Sequence, residues 1–97
     1  MIELSKDTEA KIKKLFPPQL WSRVFEIIEK ECGDNLPFCE HVDTFQMERI
    51  RFAVLKLSEG GLERLKEGVR FAQTDWRDVL VAAGFGNDIY AHKKWKV

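Results

Sequence analysis

Pro17-Pro18-Gln19-Leu20-Trp21-Ser22-Arg23-Val24-Phe25-Glu26-Ile27-Ile28-Glu29-Lys30-Glu31-Cys32-Gly33 decides the fold. Two prolines open the stretch and a glycine closes it. Between them, Leu20, Trp21, Val24, Phe25, Ile27, Ile28 and Cys32 recur at the spacing of one helical face. Pro18 suits a first helical turn, and Gly33 stands where a C-terminal cap is wanted. This is the most amphipathic piece of the chain, and the reading makes it the central core helix.

The same punctuation recurs outward. Breakers cluster at Pro17-Pro18, Gly33-Asp34-Asn35-Leu36-Pro37, Gly60-Gly61 and Gly84-Phe85-Gly86-Asn87-Asp88. The pieces between them have helix length. A first helix from Ser5 or Asp7 to Phe16 is expected, with Ala10, Ile12, Leu15 and Phe16 as its stripe. A third begins at Asp43, with Gln46 in capping-box position and Val42 and Met47 at staple spacing. Phe45, Ile50, Val54 and Leu57 form its stripe, broadened by Phe52 and Leu55, and Gly60 ends it. A fourth covers Leu62 to Gln73 around Leu65, Val69 and Ala72. Gly68 inside it costs ~1 kcal/mol relative to Ala, which close approach of another helix would explain. Thr74 is the expected cap of a fifth, Asp75 to Ala83, burying Trp76, Val79, Leu80 and Ala83. A short last helix starts at Asn87 or Asp88, with Ile89, Tyr90 and Trp95 turned inward. The prediction is all-α: one domain over residues 1–97, a compact bundle of five to six short helices with no sheet.

Composition agrees with a globular domain. Of 97 residues, 44% are hydrophobic and 33% charged, outside the disordered range. Sixteen basic residues balance sixteen acidic ones, and no segment carries the basic excess that phosphate backbones select. The charges in Ile2-Glu3-Leu4-Ser5-Lys6-Asp7 argue against an export signal. The longest apolar run, Val79 to Phe85, falls far short of the ~20 residues of a membrane span. A cytoplasmic protein with reduced cysteines is expected.

Cys32, Cys39 and His41 are the sharpest chemical cluster. Thiolate and imidazole suit zinc, with His92 as a fourth donor. The paired C-x₂₋₄-C spacing is missing, however, and Cys32 reads equally as a small buried hydrophobe. A Cys39 nucleophile beside His41 is the catalytic version. Neither reading displaces the plainer one of no metal, no cofactor and no catalysis. Gly84-Phe85-Gly86 follows no strand, so it is not a dinucleotide fingerprint. A helix-turn-helix over helices four and five would offer the DNA one cation, Arg77, against Asp75 and Asp78. Arg49 and Arg51 read as surface ion-pairing residues, and alternatively as contacts for a partner. The three Trp read as core anchors, with Trp95 partly exposed.

Thr74-Asp75-Trp76-Arg77-Asp78, Ala82-Ala83-Gly84-Phe85 and Ala91-His92-Lys93-Lys94-Trp95 resemble a short family of uncharacterised bacterial proteins. The loop Glu31 to Cys39 and Glu48-Arg49-Ile50-Arg51-Phe52 are similar too. The resemblance spans most of the chain and implies no activity. The expectation is therefore a non-catalytic protein-interaction or regulatory module, contacting another protein or a second copy through Phe38, Arg49, Arg51 and Trp95. The alternatives are a metal- or thiol-dependent protein using Cys32, Cys39 and His41, and a weak nucleic-acid binder.

Overall fold

The computed structural model describes residues 3–33, 36 and 43–96. Among them are five α-helices and no strand. They are α1 (Lys6–Leu15), α2 (Trp21–Glu31), α3 (Thr44–Ser58), α4 (Leu62–Ala82) and α5 (Ala91–Lys94), with a 3₁₀ turn at Pro18–Leu20 before α2. The radius of gyration is 11.8 Å. No helix among the described residues is long and apolar enough to cross a membrane.

The helix ends follow local chemistry. Ser5 Oγ accepts from Thr8 N at 3.1 Å and starts α1. Phe16 is extended (φ −117°, ψ 148°), as the residue before Pro17 prefers. Its carbonyl accepts from Trp21 Nε1 at 2.8 Å, which ties α1 to the start of α2. Asp43 Oδ1 accepts from Gln46 N at 2.8 Å and starts α3. Gln46 turns its own oxygen to Arg49 Nη1, at 2.6 Å. The staple partner Val42 lies outside the described residues. At the end of α4, Gly84 (φ 83°) forms a Schellman motif: Gly84 N bonds to Val81 O and Phe85 N to Leu80 O.

The central helix is α3, not α2. Met47 and the whole run from Arg49 to Leu55 are buried, so α3 is enclosed on every side. It packs against α1, α4 and α5. A helix buried all round needs apolar residues all round, and Ile50, Phe52, Ala53, Val54 and Leu55 supply them. The strong amphipathicity of α2 marks an outer helix. It buries Val24, Ile27 and Ile28 against α1 and α4, while Arg23, Glu26 and Lys30 face solvent. Each of those three apolar chains contributes roughly 1.5–3 kcal/mol.

The expectation of Arg49 and Arg51 on the surface is corrected. Their side chains lie within the fold, at 5% and 2% exposure. Arg51 Nε donates to Cys32 O at 2.8 Å and Nη1 to Glu3 O at 2.9 Å. Arg49 Nη2 donates to Phe85 O at 2.9 Å. Two turns on from Arg49, Lys56 Nζ donates to Ala83 O at 2.8 Å, where the α4 dipole is negative. The central helix thus binds main-chain carbonyls at the ends of its neighbours. Gly33 serves this arrangement through its size. Its φ is not left-handed, but a Cβ there would sit 3.2 Å from both Arg51 Nη2 and Glu29 O.

Helices four and five of the sequence reading are two arms of α4, broken at Asp75 (φ −159°, ψ 104°). The cap is Asp75 rather than Thr74: its Oδ1 accepts from Arg77 N at 3.0 Å. Thr74 Oγ1 donates back to Arg70 O at 3.1 Å, closing the first arm. Val79, Leu80 and Ala83 are buried on the second arm, and Trp76 is half-buried. In the last segment the expected inward faces of Ile89 and Tyr90 are corrected to exposed ones. Asp88 Oδ1 accepts from Tyr90 N at 2.8 Å. That turn sets the phase of α5 so that His92 points inside.

Two sets of substitutions test this account. Arg51→Leu strands the Cys32 and Glu3 carbonyls and lowers stability by about 3 kcal/mol or more. Urea unfolding measures it, and a loss under about 1 kcal/mol would contradict the buried placement. Gly60 has φ 82°, and a Cβ there would lie 2.7 Å from Leu15 O. Gly60→Ala therefore costs about 1–3 kcal/mol. At Gly68 a Cβ would meet Val54 at 3.4–3.9 Å, an ordinary contact. Gly68→Ala is neutral or stabilising by up to ~1 kcal/mol. Equal effects at the two glycines in thermal unfolding would refute the geometry.

Candidate functional site

Two places gather chemistry or exposed apolar surface. The first is the seam between α1, α3 and the C-terminal segment. Glu48, in the first half of α3, is largely buried. Its Oε1 accepts from Ser5 Oγ at 2.6 Å, and its Oε2 lies 3.6 Å from His92 Nε2 and 3.8 Å from Lys93 Nζ. His92 is fully buried. Its ring meets Phe45, Phe52 and Phe85 edge-on, with centroids at 5.2, 5.3 and 6.4 Å. Neither ring nitrogen has a partner at hydrogen-bond geometry, although the Ile89 carbonyl lies near enough to favour the protonated form. Burial pushes the imidazole below its ordinary pKa; Glu48 opposes the shift, and Lys93 and Arg49 add to it.

Beside this cage, Lys11 reaches from α1 to the C-terminal segment. Its Nζ donates to Trp95 O at 2.9 Å and lies over the Trp95 and Phe52 rings, 4.7 and 5.1 Å from their centroids. Burial and the neighbouring Lys14 hold its ammonium below the usual lysine range, while Asp7 and Glu48 pull the other way. A cleft of about 330 Å³ opens here, lined by Asp7, Ala10, Lys11, Lys14, Phe52 and Lys93. Its lining carries three lysines and one carboxylate, Asp7.

The second place is the inner angle of the α4 elbow. Leu57, Gly68, Phe71 and Ala82 line an open groove of about 340 Å³, rimmed by Arg64 and Glu67. Phe71 is 39% exposed, and Val81, on the second arm, 68%. The arms fold toward the C-terminal end of α3, and Gly68 lets the first arm come within van der Waals range of Val54.

The residues singled out in the sequence are scattered over the fold. Cys32 is buried at the end of α2. Phe38, Cys39 and His41 lie outside the described residues. Among those described, no three His, Cys, Asp or Glu side chains are placed to hold a metal ion. His92 sits among phenylalanine rings. Arg49 and Arg51 are inside the fold. Trp95 is half-buried against Phe52 and Phe85, as its expected partial exposure implies.

Comparison with protein families, with curated proteins and with solved structures finds no match to this chain. The Thr74-Asp75-Trp76-Arg77-Asp78 stretch nevertheless has a local physical meaning, because it builds the elbow. Sequence reading passed over Phe71 and Val81. Each lies off the stripe of its arm, and that was the available signal.

Proposed function

We propose that this protein is a non-catalytic interaction module that receives an apolar segment of another protein in the α4 elbow. The supporting observation is the groove itself: Leu57, Phe71 and Ala82 present apolar surface in a concave angle, with Arg64 and Glu67 at its edge. Contiguous exposed apolar surface is characteristic of interaction sites, and Phe71 is the large exposed apolar side chain of this groove. The break at Asp75 keeps the two arms at an angle, so the groove is preformed. A preformed site loses less entropy on binding than one that must order itself. The rim carries one charge of each sign, Arg64 and Glu67, which suits a partner carrying charges of both signs beside its apolar face.

Phe71→Glu tests the proposal. Phe71 lies outside the buried core, so the fold and its helical circular dichroism persist. Wild-type and variant proteins serve as parallel baits in extract of the native cell. The expected result is a partner retained by wild type and lost from the variant. Identical retained sets would exclude the groove as the docking site.

A further inference from the structure

We propose that His92 is an acid-sensitive latch for the C-terminal segment, residues 88–96, whose protonation frees that segment from α1 and α3 while the rest of the bundle stays folded. The latch is a matter of geometry. His92 is the innermost side chain of the segment, and it fills the space between Phe45 and Phe52 of α3 and Phe85. A neutral imidazole fits such an aromatic cage, whereas an imidazolium there would be a buried charge whose nearest counter-charge, Glu48 Oε2, lies 3.6 Å from Nε2. Both nitrogens are already without partners at bonding geometry. A buried polar group in that condition calls for an explanation, and a poised switch supplies one.

The charged groups facing His92 among the described residues work in both directions. From α3, Glu48 favours protonation and Arg49 disfavours it; from α5, Lys93 disfavours it. No charged group of α1 acts on it directly; α1 is preceded by Ser5, which holds one Glu48 oxygen. Burial outweighs the carboxylate, and the folded protein holds His92 below its ordinary value of 6.5. The unfolded or released segment therefore binds more protons than the latched one. Latching is at full strength above about pH 6.5 and weakens as pH falls below it.

Most other contacts of the segment are made by exposed or partly buried side chains. Lys11 bonds to Trp95 O and lies over its ring, Trp95 meets Phe52 edge-on, Lys93 lies near Glu48 and over the Phe45 ring, and Tyr90 meets Phe45 edge-on. Ile89 and Tyr90 are exposed. Upstream, the chain stays pinned because Arg49 and Lys56 bind the Phe85 and Ala83 carbonyls. The hinge falls between the two regimes, at Gly86-Asn87. Release would uncover Phe45 and Phe52.

The test is amide and imidazole NMR of the full chain from pH 7.5 to 4.5. His92 should titrate below 6.5, with His41 as the second imidazole in the same spectra. Over that transition, signals of residues 88–96 and the Trp95 indole should move to disordered positions, while α2 to α4 keep their dispersion. His92→Leu should stay latched across the range. Glu48→Gln, which removes the carboxylate favouring protonation, should move release to lower pH. The proposal fails if His92 titrates at or above 6.5, if the whole spectrum collapses together, or if His92→Leu releases at the wild-type pH. It fails equally if Glu48→Gln abolishes release, because Glu48 would then be the switch.

Discussion

The structure depends on cations of the central helix donating hydrogen bonds to main-chain carbonyls at the ends of other segments. A helix end leaves carbonyls without intrahelical partners, and inside a small protein water is not always at hand to satisfy them. Arg51 takes the carbonyl that follows α2 and another that precedes α1. Arg49 takes one beyond α4, and Lys56 takes the α4 cap carbonyl. Each bond satisfies a main-chain acceptor and gives the cation a partner, which lowers the cost of burying both. It also fixes where each neighbour ends relative to α3. Apolar packing alone would not specify that register so sharply.

This arrangement divides the molecule into parts of unequal firmness. Guanidinium bonds and a continuous apolar core hold α1 to α4. The C-terminal segment depends on a histidine cage, the contacts of Lys11 and Lys93, and two rings at the margin, Tyr90 and Trp95. Regions with few buried contacts open at lower free energy than the core. The elbow of α4 belongs to the firm part, because both of its arms carry buried residues against the body. The firm part therefore carries the apolar groove, and the weaker part carries the titrating group.

Much of the fold was legible in the sequence because helix boundaries are local. Pro17 forces Phe16 to be extended, Asp43 and Ser5 cap through their own side chains, and Gly84 supplies a left-handed residue. Those effects need nothing from the rest of the chain. The rank order of the helices was not local, and the amphipathic reading of α2 as central failed. A one-sided stripe belongs to a surface helix. The run Ile50 to Leu55, interrupted by Arg51, was the true sign of a helix enclosed on all sides. The arginines concealed it, because a guanidinium seen in a sequence reads as solvated. Only the tertiary structure shows that carbonyls from residues 3, 32 and 85 converge on those two side chains. The candidate sites were less legible still. His92 and Phe71 acquire their meaning from neighbours distant in sequence, while Cys39 and His41 lie outside the described residues.

Hydrogen exchange at the Arg51 Nε–H tests the central claim most directly, because that proton is the donor to the Cys32 carbonyl. A surface guanidinium exchanges this proton rapidly at neutral pH. Buried and bonded as described, the Arg51 signal should survive in nitrogen-resolved NMR at pH 7 and exchange on the timescale of the α3 core amides. Exchange as fast as that of the solvent-facing Arg23 would contradict the account.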